Sequence, residues 1–360
     1  MFKLKYYSQF LLVILGLFII FSSGCGLVKP SAPTTTATLL ETNDASKETL
    51  IGEVNRFAKL SSLRAKVDVK FEDNSFASEG IAEKYKSADG EIVVQRPANI
   101  LLKVSVPIVK YDLAQMTSDG TKFRVAILND GGSGKNKKFV IGTNNADYSK
   151  LQKDLNSMDL DIDKNLKKQV SAFANLRPQH FTDAMLVRPT DSLDIYTVST
   201  IFQDEPFESP NQNDKKKAVA RVLRGYYLLD EYKKNDNGGL TITRRFWFDR
   251  VGGIRLARQQ IFDAKGEIET DVVYGQEGNL AGNPEFTNLP LKIAVTRPKE
   301  KYKMSLTYQT PESVSIGKTY PNDAFVLQNT WNLPEVDLDK KLLEVKGTQS
   351  ASNSSTSNKQ

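Results

Sequence analysis

From Arg64 the chain alternates between apolar and polar positions. In Arg64–Phe71, Ala65, Val67, Val69 and Phe71 point one way and Arg64, Lys66, Asp68 and Lys70 the other. A period of two with one apolar face predicts a half-buried antiparallel strand. Similar segments follow over Ser78–Ser87, Glu91–Gln95, Asn99–Val106, Val109–Thr117, Lys122–Leu128 and Lys138–Gly142. Ala88-Asp89-Gly90, Arg96-Pro97 and Ser118-Asp119-Gly120 separate them, and Asp-Gly between alternating segments predicts a hairpin. A second series covers Leu193–Phe202, Val219–Leu229, Thr241–Arg250, Ile254–Phe262, Ile268–Tyr274, Leu289–Thr296 and Tyr302–Thr310. Its turns are equally explicit, at Asn237-Gly238-Gly239, Val251-Gly252-Gly253 and Ala264-Lys265-Gly266.

Three stretches carry helical spacing instead. Leu50, Val54, Phe57 and Leu60 share a face within Glu48–Leu63, with Ser46 or Asp44 able to cap the start. Leu166, Val170 and Phe173 share a face within Asp147 to about Gln179, where Pro178 limits the helix. A short helix is expected over Gln179–Met185. The fold class read from this pattern is mainly β (α+β): a large curved antiparallel sheet, or unclosed half-barrel, with covering helices. A sheet of so many strands must curl or close.

The ends of the chain read differently. Phe10–Phe21 is a twelve-residue apolar run behind Lys3 and Lys5, followed by Ser22-Ser23-Gly24 and by Cys25, the only cysteine. A bilayer-spanning helix needs about 20 apolar residues, so this run has the size of a secretory signal core. Residues 1–24 are read as signal peptide, 25–47 as a Pro/Ser/Thr-rich flexible tether, 48–335 as the sheet domain with a helical insertion near 147–185, and 336–360 as a mostly disordered tail. The net charge of +6 falls to +4 once Lys3 and Lys5 leave with the signal. So small an excess does not mark a nucleic-acid binder, which needs a concentrated basic stripe. The run Lys215-Lys216-Lys217 reads as solvated surface.

Small residues followed by a cysteine resemble the lipobox of bacterial lipoproteins, although Ser22 stands where that family favours Leu. The resemblance implies cleavage before Cys25 and a lipid on its sulfur. With Gly26 rather than Asp after the cysteine, it implies the outer membrane, facing the periplasm. The alternative is an unpaired cysteine behind a membrane anchor.

Candidate chemistry is sparse. His180 is the only histidine, and with Cys25 committed a zinc site or a Cys/His pair lacks ligands. Asn129–Asn136 lacks the Gly and Ser/Thr of a phosphate loop and precedes a strand. Asp159-Leu160-Asp161-Ile162-Asp163 alternates its oxygens like a calcium loop, but Lys164 and Val170 replace the required Gly and Glu. No metal or cofactor is expected and the reading is of a non-enzyme. What remains is apolar surface. Phe71, Phe123, Val125, Ile127, Phe246 and Phe248 are candidates to line a lipid groove, or else they pack beneath the helices. Arg96 and Arg244 are candidates for headgroup contact. Arg-Pro recurs at Arg96, Arg177, Arg188 and Arg297, and reads as turn chemistry.

One resemblance covers about Leu50 to Leu327. Gln95-Arg96-Pro97 leading into a strand, the Ser118-Asp119-Gly120 hairpin, and the run Arg244–Gly275 with its turn Asp263-Ala264-Lys265-Gly266-Glu267 resemble the LolA/LolB-like lipoprotein carriers and receptors. That resemblance implies an unclosed barrel of roughly eleven strands with helices as a lid over an apolar cavity. It further implies binding of an acyl chain, lipid or lipoprotein in lipoprotein sorting. The present chain is longer than usual members, with a polar insertion at Asp204–Lys217. The alternative function is a structural or assembly lipoprotein whose sheet is a scaffold for protein contacts.

Overall fold

The computed structural model describes residues 36–73, 83–84, 87–106, 111–129, 134, 137–144, 146, 148, 179–207, 221–281 and 284–344. Cys25, all but residues 148 and 179 of the expected helix of 147–179, Lys215–Lys217 and most of Asn129–Asn136 lie outside them. The chain divides into two compact units: Met1–Leu40 with Gln203–Leu223, and Glu41–Phe202 with Arg224–Gln360.

The described chain is mainly β, with seventeen strands. The N-terminal half supplies β1 (Thr38–Leu39), β2 (Ser62–Asp73), β3 (Glu83–Lys84), β4 (Ala88–Gln95), β5 (Asn99–Val106), β6 (Tyr111–Asp119), β7 (Lys122–Ile127) and β8 (Lys138–Thr143). The C-terminal half supplies β9 (Ile195–Pro206), β10 (Arg221–Lys234), β11 (Leu240–Asp249), β12 (Arg255–Phe262), β13 (Ile268–Gly278), β14 (Leu289–Arg297), β15 (Tyr302–Tyr308), β16 (Ser315–Ile316) and β17 (Glu335–Asp337). Helix α1 is Lys47–Ala58 and helix α2 is Gln179–Met185.

In the larger unit the strands form two antiparallel meanders joined side by side. One runs β2–β4–β5–β6–β7–β8. The other runs β10–β11–β12–β13–β14–β15. Strand β2 joins them, pairing with β15 from Tyr302↔Asp73 to Tyr308↔Val67. Two short strands extend β2's pairing, β16 beyond β15 and β3 beyond β4. The sheet is therefore not wholly antiparallel, as the alternation alone implied. Strand β17 adds in parallel to the outer edge of β8, and in the smaller unit β1 adds in parallel to the start of β10.

Alternation places the core. Leu63, Ala65, Val67 and Val69 of β2 are buried while Arg64, Lys66 and Lys70 are exposed. Strand β15 buries Tyr302, Met304, Leu306 and Tyr308, and β14 buries Ile293 and Val295. Helix α1 starts where Ser46 accepts from the Thr49 N–H at 3.2 Å, and buries Leu50, Val54 and Phe57. It ends at Ala58 rather than Leu63, because the alternation of β2 already begins at Ser62. Helix α2 packs against β14 on one side and against β4 and β5 on the other. From β14 to β5 are four inter-strand steps, about 19 Å on a flat sheet. A seven-residue helix is only about 10 Å long. One short helix touches both, so the sheet curls around it. The expected curved, unclosed sheet with covering helices is present.

The C-terminal segment also departs from expectation. Residues 336–344, assigned to the tail, are folded: Val336 in β17 and Leu338 in the helical turn after it are buried.

Candidate functional site

The inner face of the sheet and the two helices enclose one continuous apolar cluster. Five of the six sequence-predicted groove residues, Phe123, Val125, Ile127, Phe246 and Phe248, are buried in it, and Phe71 packs against it half-buried. They arrive there by alternation. Phe123, Val125 and Ile127 are every second residue of β7, and Phe246 and Phe248 flank Trp247, whose indole lies on the opposite face against Arg258. Phe123 meets Tyr148 edge to face with ring centroids 6.4 Å apart. Phe71 and Tyr302 lie 5.8 Å apart.

Among the described residues, a cavity of about 10 Å³ lies beneath the helices, lined by Phe57 and Leu60 near the end of α1, Ala184 and Met185 of α2, and Tyr274, Ile293 and Tyr308 of the sheet. That is space of the order of one water molecule.

The helices are held over this interior by hydrogen bonds at their edges. The Tyr274 hydroxyl donates to the Ala184 carbonyl of α2 at 2.9 Å. Burial pushes the Tyr274 and Tyr308 phenols well above their ordinary range, so both are neutral at all physiological pH values. His180 Nδ1 and the Tyr302 hydroxyl are 3.0 Å apart in the core. Asn55 of α1 donates to Thr190 Oγ1 at 2.9 Å and accepts from the Thr190 N–H at 3.0 Å. Arg56 binds the Thr287 carbonyl at 2.8 Å, tying α1 to the approach to β14.

The two candidate headgroup arginines sit in the same fastening. Arg96, at the β4–β5 turn, donates to the carbonyls of Leu60 at 3.0 Å, Ala58 at 3.2 Å and Val187 at 2.7 Å. One guanidinium thus spans the end of α1 and the segment leaving α2. Burial lowers its pKa, but an arginine retains ample margin to stay charged. Arg244 of β11 is 4% exposed and donates to the carbonyls of Arg188 at 2.7 Å and Pro189 at 2.9 Å. Its other partner is Glu231 of β10, which accepts from both Nε and Nη2. Burial raises the Glu231 carboxyl, but Arg244, Thr243 and Tyr196 together hold it below its ordinary value. Tyr196 is pushed up to about 12, by burial first and then by Glu231.

Sequence reading missed this fastening, although its signal was present. Two of the four Arg-Pro pairs belong to it, Arg96-Pro97 and Arg188-Pro189, the first supplying a guanidinium and the second two carbonyls. A third, Arg297, is also buried, donating to Thr270 Oγ1 at 2.6 Å and to Glu300 at 2.7 Å. Arg177 lies outside the described residues. Among the described residues there is no group of three or more metal-ligating side chains.

No protein-family model matches the sequence, and no curated protein matches it either. Solved structures do match. One is a LolA superfamily protein from Nitrosomonas europaea, at 9% identity and a TM-score of 0.36, covering 78% of this chain and 98% of the other. Another is a DUF1329 family protein from Desulfovibrio piger, at 8% identity and a TM-score of 0.37, covering 78% and 97%. A third is a domain described as an outer membrane lipoprotein-sorting protein, from Vibrio parahaemolyticus, at 10% identity and a TM-score of 0.32, covering 77% and 94%. The family that the sequence resembles is thus among its structural neighbours.

Proposed function

We propose that the chain binds an acyl chain, a lipid or an acylated lipoprotein between the inner face of its sheet and the cover formed by α1 and α2. It hands the ligand on without making or breaking a bond. The observation that carries this reading is how the cover is held. Helix α2 is fastened by hydrogen bonds with Tyr274 and Tyr302, and the segment leaving it by Arg96 and Arg244, over an apolar face that runs continuously beneath them. Such bonds contribute a net of ~1 kcal/mol each, and about 1.5–3 kcal/mol where a guanidinium donates, so releasing these five costs about 7–11 kcal/mol in polar contacts. Burying a stretch of twelve methylenes returns about 10 kcal/mol. An acyl chain is therefore of the size needed to offset the fastening. Once released from their carbonyls, Arg96 and Arg244 are positioned to meet an anionic headgroup. In this reading Cys25 carries the lipid that holds the chain at the outer membrane, facing the periplasm.

The small size of the cavity beneath the helices favours the second reading, a scaffold for protein contacts. Native mass spectrometry of the full chain extracted from membranes separates the two, combined with titration of a fluorescent fatty acid. The lipid reading expects a co-purified or titratable acyl ligand, bound more readily when Tyr274→Phe loosens the cover. No bound lipid and no uptake by either form would leave the scaffold.

A further inference from the structure

Strand β9 differs from every other long strand. Over Ile195–Phe202 only Tyr196 and Ile201 are even half-buried. Leu193, Ile195, Val198 and Phe202 are 86%, 42%, 38% and 49% exposed. One edge of β9 pairs with β10. The other has no ladder among the described residues. The far end of the sheet does not supply one, because β8, six residues long, already pairs with β7 on one side and with β17 on the other.

The sequence of this edge, Ile-Tyr-Thr-Val-Ser-Thr-Ile-Phe, contains no charge, proline or glycine. Those are the devices by which exposed edges ordinarily resist pairing. A neutral strip of hydroxyl and apolar side chains also offers no charge by which to select an unlike partner. It does match itself. A two-fold axis normal to the sheet requires some residue to face its own copy. Centring the axis on Val198 sets Ile195 against Ile201, Tyr196 against Thr200 and Thr197 against Ser199. Such apolar and hydroxyl pairs favour antiparallel ladders. The same register sets Asp194 against Phe202. Centring one residue later, on Ser199, would instead set Asp194 against Asp204.

We propose that β9 is a self-association edge. Two copies of this chain pair antiparallel through Ile195–Phe202 about Val198, extending the sheet across a two-fold axis. The contact is narrow, so the dimer belongs to the weak class of interfaces.

Sedimentation velocity of the full chain in density-matched detergent, from about 1 μM to about 1 mM, spans the dissociation constants of that class. A concentration-dependent dimer is expected. Val198→Lys sets two ammonium groups face to face at the axis and should weaken dimerisation about a hundredfold. Val198→Glu should do the same. Val198 is already partly in solvent, so neither change threatens the fold, and circular dichroism checks this. Mixing the two variants should restore a one-to-one heterodimer. A chain that stays monomeric throughout would overturn the proposal, as would a Val198→Lys protein that dimerises like the parent.

Discussion

Arg96 and Arg244 hold three consecutive carbonyls between them. Arg96 takes that of Val187, and Arg244 takes those of Arg188 and Pro189. The two side chains come from different meanders, so the segment leaving α2 is a bridge between the halves of the sheet. Arg96→Met should leave three carbonyls without their donor and cost about 3 kcal/mol. Arg96→Lys should recover only part, since an ammonium donates from a single nitrogen whereas these acceptors are spread over Nε and Nη2 of the guanidinium. Urea denaturation reads the stability, and amide exchange over 186–190 should quicken in both variants. Unchanged exchange there would mean that the bridge is held by packing alone.

The Glu231–Arg244 pair makes stability depend on acidity. The folded-state pKa of Glu231 lies below its ordinary 4.5. The carboxylate's contribution is therefore whole above about pH 4.5 and is lost as the pH falls through the lower, folded value. Glu231→Gln should flatten stability against pH across that acid window. At pH 7 it should cost about 3–5 kcal/mol, because Arg244 stays buried without its counter-charge. Equal acid sensitivity of parent and variant would assign the effect to other carboxylates.

Much of the fold was legible because alternation is a local property. Ala65, Val67 and Val69 face inward whatever β2 pairs with, and the Asp119-Gly120 and Gly-Gly turns set the order of their hairpins, whereas Ala88-Asp89-Gly90, expected as a turn, lies within β4 and pairs with β2 and β5. What alternation cannot state is which meander meets which, so the β2–β15 seam appears only in the structure. The parallel additions were illegible for a related reason. Strand β17 is three residues long and owes its place to Val336, Leu338 and Asp339 finding partners some 200 positions away. The candidate site was half legible. Phe123 and Phe246 announce an inner face by their spacing, but spacing does not distinguish an open groove from a filled one. Arg96 and Arg244 stood out as charges on apolar elements. Their acceptors are backbone carbonyls, which every residue carries and no sequence pattern marks.

Gly142 tests how tightly the interior is filled. A Cβ at this position of β8 would stand 2.6 Å from the Phe123 ring and 2.9 Å from the Tyr148 hydroxyl. Gly142→Ala should push Phe123 off its place and destabilise the fold by about 1–3 kcal/mol. Calorimetry gives the loss. Under the lipid reading, the displaced ring also intrudes on the inner face, so fatty-acid uptake should fall together with stability. Phe123→Leu alongside Gly142→Ala makes room and should recover part of both.

The C-terminal segment closes one edge of the sheet, and where the chain is cut decides whether it does so. Asp339 accepts from the Tyr148 hydroxyl and from Thr143 Oγ1, the latter at 2.8 Å. Val336 and Leu338 bury their side chains beside β8. Truncation after residue 344 leaves all of these in place and should not change the melting temperature. Truncation after Pro334 removes β17 and both apolar side chains, a loss of about 3–6 kcal/mol. It also bares the edge of β8, where Phe139, Val140 and Ile141 pair with Glu335, Val336 and Asp337 in the intact chain. An apolar edge of that kind recruits other chains, so the shorter protein should melt early and aggregate on warming, as light scattering would show. If both truncations behave alike, β17 is an ornament rather than a cap.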